Sequence, residues 1–240
     1  MEKQNSVIDD SSLWYETGSR IIQTYSKSLG MNVSSQELYE SFLEGEFETE
    51  EIYDYFEEDI INMARAWIYI KQVVYEAIEY KQSDRNISDF KLRKVIEVYS
   101  YLDPHLTYMS SFSGKTPESI KFLELIQSTR NYVLTNDSKE SILEYLLIFY
   151  LDVSLNQYFG YFSEIFAFMI VQGILMFKGI TPITLSQIIQ DSGETYELHV
   201  KLLEIIANLK VNEWSQQNLF KEYLKRWISK TEKSFDYMEI

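Results

Sequence analysis

Apolar residues recur along this chain at intervals of three and four, the spacing that gives an α-helix one buried face. No stretch alternates apolar and polar residues between turn signals, so no strand is predicted. The first pattern (Leu13, Trp14, Ile21, Ile22, Tyr25, Leu29) starts at Ser11 or Ser12 and ends at Gly30. Ser34 and Glu37 then form a capping-box pair for a short second helix closed by Gly45. Thr49 is placed to cap a long third helix with Glu50 and Glu51 in its first turn. Its seam runs Ile52, Phe56, Ile60, Met63, Trp67, Ile70, Val74, Ile78, with a break at 82–86. Ser88 opens a fourth helix (Leu92, Val95, Ile96, Tyr99, Leu102), stopped by Asp103-Pro104. The Ser-rich segment 105–115 is the longest predicted loop. Thr116-Pro117-Glu118 starts a helix to about Leu134, with proline at the first helical position. Asn136-Asp137-Ser138 caps the next, Lys139 to about Leu155, and 156–162 connects onward.

Residues 163–178, SEIFAFMIVQGILMFK, change the pattern, because from Ile165 to Phe177 only Gln172 is polar. A helix apolar on every side lies in a core or a membrane, and this run is read as interrupted too soon for a bilayer span of about 20 residues. Ser163 is placed to cap it, Glu164 and Lys178 suit the two ends of its dipole, and Gly179 supplies a left-handed stop before Pro182. Gly173, mid-helix, suggests that another backbone passes close by. Thr184 then caps a short helix to about Gln190, Asp191-Ser192-Gly193 turns, and helices at about 194–211 and 213–232 complete the chain. The expectation is an all-α fold: a single globular multi-helix domain around the buried helix at about 163–178. Residues 1–60 form an acidic N-terminal helical segment and 61–240 the helical core.

Charge draws that boundary. The 240 residues carry a formal net charge of −15, and 1–64 hold 15 acidic against 3 basic side chains. Between Glu37 and Asp59 there are eleven carboxylates and no cation. Such a surface repels nucleic acid and attracts basic proteins, so direct nucleic-acid binding is not expected. The basic residues of the last helix (Lys221, Lys225, Arg226, Lys230, Lys233) are read as a solvated face. With no cysteine there is no disulfide framework or thiolate chemistry. The first residues, MEKQNSVIDDSS, contain no apolar run of a secretory signal, so a cytoplasmic location is expected, with no membrane association.

Catalytic chemistry is sparse. His105 and His199 are far apart, and His199 is read as a surface or boundary residue. Metal and cofactor are expected to be none: two histidines without cysteine make a poor structural zinc set, and no Gly-rich phosphate loop occurs. Carboxylates one turn apart, such as Glu140 and Glu144, are common on solvated helix faces.

Within 116–232 the helix order resembles that of a Fic domain. SILEYLLIFYLDVSL resembles the family's lead-in helix, IFAFMIVQGILMFKGITPITLSQII the helix after its catalytic loop, and ETYELHVKLLEI a later one. The family's loop, His-Pro-Phe-x-Asp/Glu-Gly-Asn-Gly-Arg, is not kept. Gln157, Tyr158 and Phe159 fall at His-Pro-Phe, and Tyr161, Phe162, Ser163, Glu164 and Ile165 fall where the acidic, Gly, Asn, Gly and Arg residues belong. The resemblance implies a degenerate member without the histidine base or the phosphate-binding arginine, with Glu164 repelling phosphate instead.

The function expected from these residues is that of a non-catalytic helical interaction or regulatory protein with a protein partner of basic character. Its acidic surface comprises Glu44, Glu46, Glu48, Glu50, Glu51, Asp54, Glu57 and Glu58, and its degenerate-loop positions are Gln157, Phe159, Tyr161, Ser163 and Glu164. Two alternatives stand beside it: an acidic nucleic-acid mimic that inhibits a basic protein, and a nucleotidyl (AMP) transferase with a divergent loop. Oligomeric state is not legible in the sequence.

Overall fold

The computed structural model describes residues 11–83, 92–183 and 192–233. Among them there are ten α-helices and no strand: α1 Ser11–Ser28, α2 Ser35–Glu44, α3 Glu58–Gln82, α4 Leu92–Leu102, α5 Pro117–Thr135, α6 Lys139–Asn156, α7 Ser163–Phe177, α8 Ser192–Ile206, α9 Val211–Trp214 and α10 Asn218–Lys233. Short 3-10 turns lie between several of them. The Ser88 helix start, the helix expected from Thr184 and the turn residue Asp191 lie outside the described residues.

Local signals set many of the ends. Ser34 Oγ accepts the Gln36 N–H at 3.1 Å while Glu37 accepts the Ser34 N–H at 3.3 Å, and Gly45 adopts φ +74°. Thr116 and Ser138 cap α5 and α6 through their side chains. At the end of α7 the Ile180 N–H bonds Leu175 O at 2.8 Å and the Gly179 N–H bonds Met176 O at 2.9 Å, the paired bonds of a Schellman ending.

Four expectations need correction. The third helix begins at Glu58, not Thr49, and Thr49 Oγ1 instead donates to Glu46 O at 2.9 Å, closing the 3-10 turn Glu46–Glu48. Phe47 and Ile52 are both buried yet five residues apart, which on one α-helix would put them about 140° apart. Like charges at i,i+4 in this segment also oppose a helix. Two 3-10 turns bury both anchors instead. The last long helix begins at Asn218, because Trp214 and Phe220, both buried, are six apart and out of helical phase. The helix before it runs Ser192–Ile206, so Ser192 and Gly193 are helical. Finally, Gly160–Phe177, 18 residues, has by length and composition alone what a membrane span needs, as a buried core helix also does, and 67% of it is buried within the fold.

The chain divides into two compact units, Met1–Leu106 with Gln172–Ser186, and Thr107–Val171 with Gln187–Ile240. This partition follows packing, whereas the boundary at residue 60 follows charge. Residues of α7 up to Val171 belong to the second unit and the rest to the first.

In the first unit Trp67 is the keystone. Its ring lies 5.3 Å from that of Trp14, and its Nε1–H donates to Trp14 O at 2.8 Å. A Cβ on Gly18 would stand 2.3 Å from Trp67 Cδ1, so the helix must be bare there. A Cβ on Gly173 would meet Ile70 Cγ2 at 2.6 Å. The close approach expected of a backbone is made by an isoleucine branch.

In the second unit Phe122, Phe159 and Phe166 pack with Phe112, with centroids 4.7–6.3 Å apart. Beside them buried Asp152 accepts from Lys121 at 3.1 Å, the Tyr158 hydroxyl at 3.0 Å and Asn156 Nδ2 at 3.0 Å. Burial first, and the Asp152 charge second, raise the Tyr158 phenol well above its ordinary value.

Candidate functional site

The degenerate-loop positions do not face one way. Gln157 is exposed at φ +48° and Tyr161 is exposed, while Phe159 and Ser163 are buried. Ser163 is not the expected cap. It is the first helical residue, and its hydroxyl accepts the Phe159 N–H at 2.9 Å. The Gly160 N–H bonds Gln157 O at 3.0 Å and the Phe162 N–H bonds Phe159 O at 3.1 Å. A loop that cradles an anion leaves such donors pointing outward; these three point into the loop. Glu164 turns toward α6, accepting the Tyr150 hydroxyl at 2.6 Å.

Gly160 is required twice over, by φ +55° and because a Cβ would lie 2.3 Å from the Tyr108 hydroxyl. Gly160→Ala is expected to destabilise the protein by about 1–2 kcal/mol. Gly30, at φ +80° with nothing within 4 Å, is the control. In urea melts Gly30→Ala should cost less, and equal costs would remove Tyr108 from the account.

A polar cluster that sequence reasoning missed lies under Glu164. Four rings close a circuit: Tyr150 to His199 at 5.9 Å, His199 to Tyr223 at 5.6 Å, Tyr223 to Trp227 at 6.2 Å and Trp227 back to Tyr150 at 5.7 Å. His199 is buried, not at the surface as its sequence context suggests. The available signal was its place on the stripe His199, Leu202, Ile206, three and four apart and all buried. Among the described residues His199 Nδ1 has no hydrogen-bond partner. Burial lowers the His199 pKa, with Glu164 pulling the other way, and burial raises those of Tyr150 and Tyr223. The fold therefore favours a neutral imidazole and neutral phenols beside Glu164.

The acidic residues are arranged differently. Glu44, Glu48, Glu50, Glu51, Asp54, Glu57 and Glu58 are exposed and Glu46 is half-buried. Among the described residues none of these eight forms an ion pair. The nearest cation in sequence, Arg65, is committed elsewhere: it donates to Phe47 O at 2.9 Å, Thr49 O at 3.2 Å and the Tyr53 hydroxyl at 2.9 Å. Arg65 thus pins both 3-10 turns through neutral oxygens and leaves the carboxylates to solvent. Tyr55, Leu43 and Tyr53, exposed by 77%, 63% and 49%, stand among them.

No family model matches the chain, and no curated protein or solved structure shows significant similarity to it.

Proposed function

We propose that this chain is a non-catalytic interaction protein whose acidic segment docks a basic partner protein. The supporting observation is the arrangement around Arg65, which fixes the backbone of 46–54 and spares every carboxylate around it. Unpaired surface charge accelerates and orients encounter with a partner of opposite sign, and large exposed side chains such as Tyr55 supply the apolar anchor that charge alone lacks.

The test uses a labelled Lys/Arg-rich peptide and the full chain. Glu50→Gln, Glu51→Gln and Asp54→Asn together are expected to weaken binding about tenfold at low salt. Added salt should bring wild type and variant together, because exposed charges are screened. Binding that ignores both salt and the triple variant sinks the reading. In its narrower form, nucleic-acid mimicry, duplex DNA competes for the same basic partner.

A further inference from the structure

We infer that Glu164, Tyr150 and His199 form a proton-operated latch inside the second unit. When His199 takes up a proton, the Glu164 carboxylate leaves the Tyr150 hydroxyl and pairs with the imidazolium. A tie between α6 and α7 is thereby exchanged for one between α7 and α8. The latch is independent of the acidic segment.

Glu164 lies in the first turn of α7 and accepts the Tyr150 hydroxyl at 2.6 Å. Tyr150 is fully buried, and its ring lies 5.9 Å from that of His199. His199 is 8% exposed, and among the described residues its Nδ1 has no partner. Three helices thus bring together one carboxylate, a phenol that occupies it and an imidazole with an uncommitted nitrogen. The Glu164 charge is felt by His199, Tyr150 and Tyr223 alike. Among the described residues Glu164 forms no ion pair. The other charges on the packed elements are matched locally. On α10, which carries Tyr223, Arg226 pairs with Glu222 at 3.1 Å; on α8 Lys201 pairs with Glu197 at 3.3 Å. Glu164 is therefore the carboxylate that an imidazolium at 199 meets.

While burial keeps the imidazole neutral, the bond from phenol to carboxylate is the charge-assisted one. A proton on His199 sets a full positive charge near a full negative one where water is scarce and attraction is strong. The cost is the bond between the Tyr150 hydroxyl and a charged acceptor. Each form satisfies one group at the expense of another, and the proton decides between them.

The full chain, labelled with 15N in its histidines and 13C at tyrosine Cζ, is titrated by NMR from neutral pH downward. Exposed His105 is the internal reference. The Tyr150 signal is expected to shift at the His199 midpoint. Tyr150→Phe should raise that midpoint by about one pH unit, because the proton no longer has to break a hydrogen bond. Glu164→Gln should lower the midpoint and abolish the Tyr150 step, and it carries the test if Tyr150→Phe does not fold. A direct effect of imidazolium charge on the phenol would survive in Glu164→Gln, and that result overturns the latch. So does a Tyr150 signal that ignores His199, or a midpoint that Tyr150→Phe leaves unchanged or lowers. Unfolding before His199 takes up its proton removes the latch as well. All four results leave the acidic-segment reading standing.

Discussion

Trp67→Ala is expected to lower the free energy of unfolding by about 3–5 kcal/mol, the range for deleting a buried tryptophan. Trp67 is 1% exposed, packs on Trp14, and spends its only polar atom on Trp14 O at 2.8 Å. The lost ring leaves a cavity beside Gly18, and this gives a sharper test than the single variant. In the wild type Gly18→Ala drives a Cβ to 2.3 Å from Trp67 Cδ1, and such overpacking costs about 1–3 kcal/mol. In the Trp67→Ala background the obstructing ring is gone, so the same change should cost almost nothing or stabilise. Urea melts followed by far-ultraviolet circular dichroism measure all four proteins. Strict additivity of the two substitutions would show that glycine and indole do not share the space the structure gives them.

Acid should weaken the fold through His199. Burial holds its imidazole below the ordinary histidine value of about 6.5, and Glu164 offsets this only in part. The unfolded chain therefore takes up a proton near pH 6.5 that the folded chain refuses. This contribution is complete above that value and is lost progressively as pH falls toward the depressed pKa of the folded state. Each tenfold preference of the fold for the neutral ring is worth about 1.4 kcal/mol. His199→Phe keeps a ring in the circuit with Tyr150 and Tyr223 and removes the titration. Between pH 7.5 and pH 5 the wild type should lose more stability than this variant, the carboxylates acting on both alike. An equal loss in the two proteins, or a greater one in the variant, would place the histidine outside the pH response.

What could be read in advance had short reach. The capping box at Ser34 and Glu37, the Thr116-Pro117 start and the left-handed stops at Gly45 and Gly179 involve atoms a few residues apart, and the structure places each as the chain suggested. Thr49 had the same credentials as a cap but lost to Phe47 and Ile52, whose joint burial a continuous helix cannot satisfy. Gly173 announced a close approach without naming its partner, and Ile70 lies about a hundred residues earlier. The acidic positions were legible as charges. That they form no ion pair among the described residues depends on where Arg65 spends its donors.

By itself, then, the sequence determined an all-helical fold, an apolar helix at about 163–178 and the crowding of carboxylates before Glu58. Those follow from periodicity, capping and composition, which act within a few residues. Tertiary structure alone decided that His199 closes a buried circuit with Tyr150, Tyr223 and Trp227, and that Tyr15, Phe42 and Tyr75 wall one groove. Those groups draw on several helices each, and side chains that meet across helices are chosen by packing, for which neighbours along the chain carry no signal.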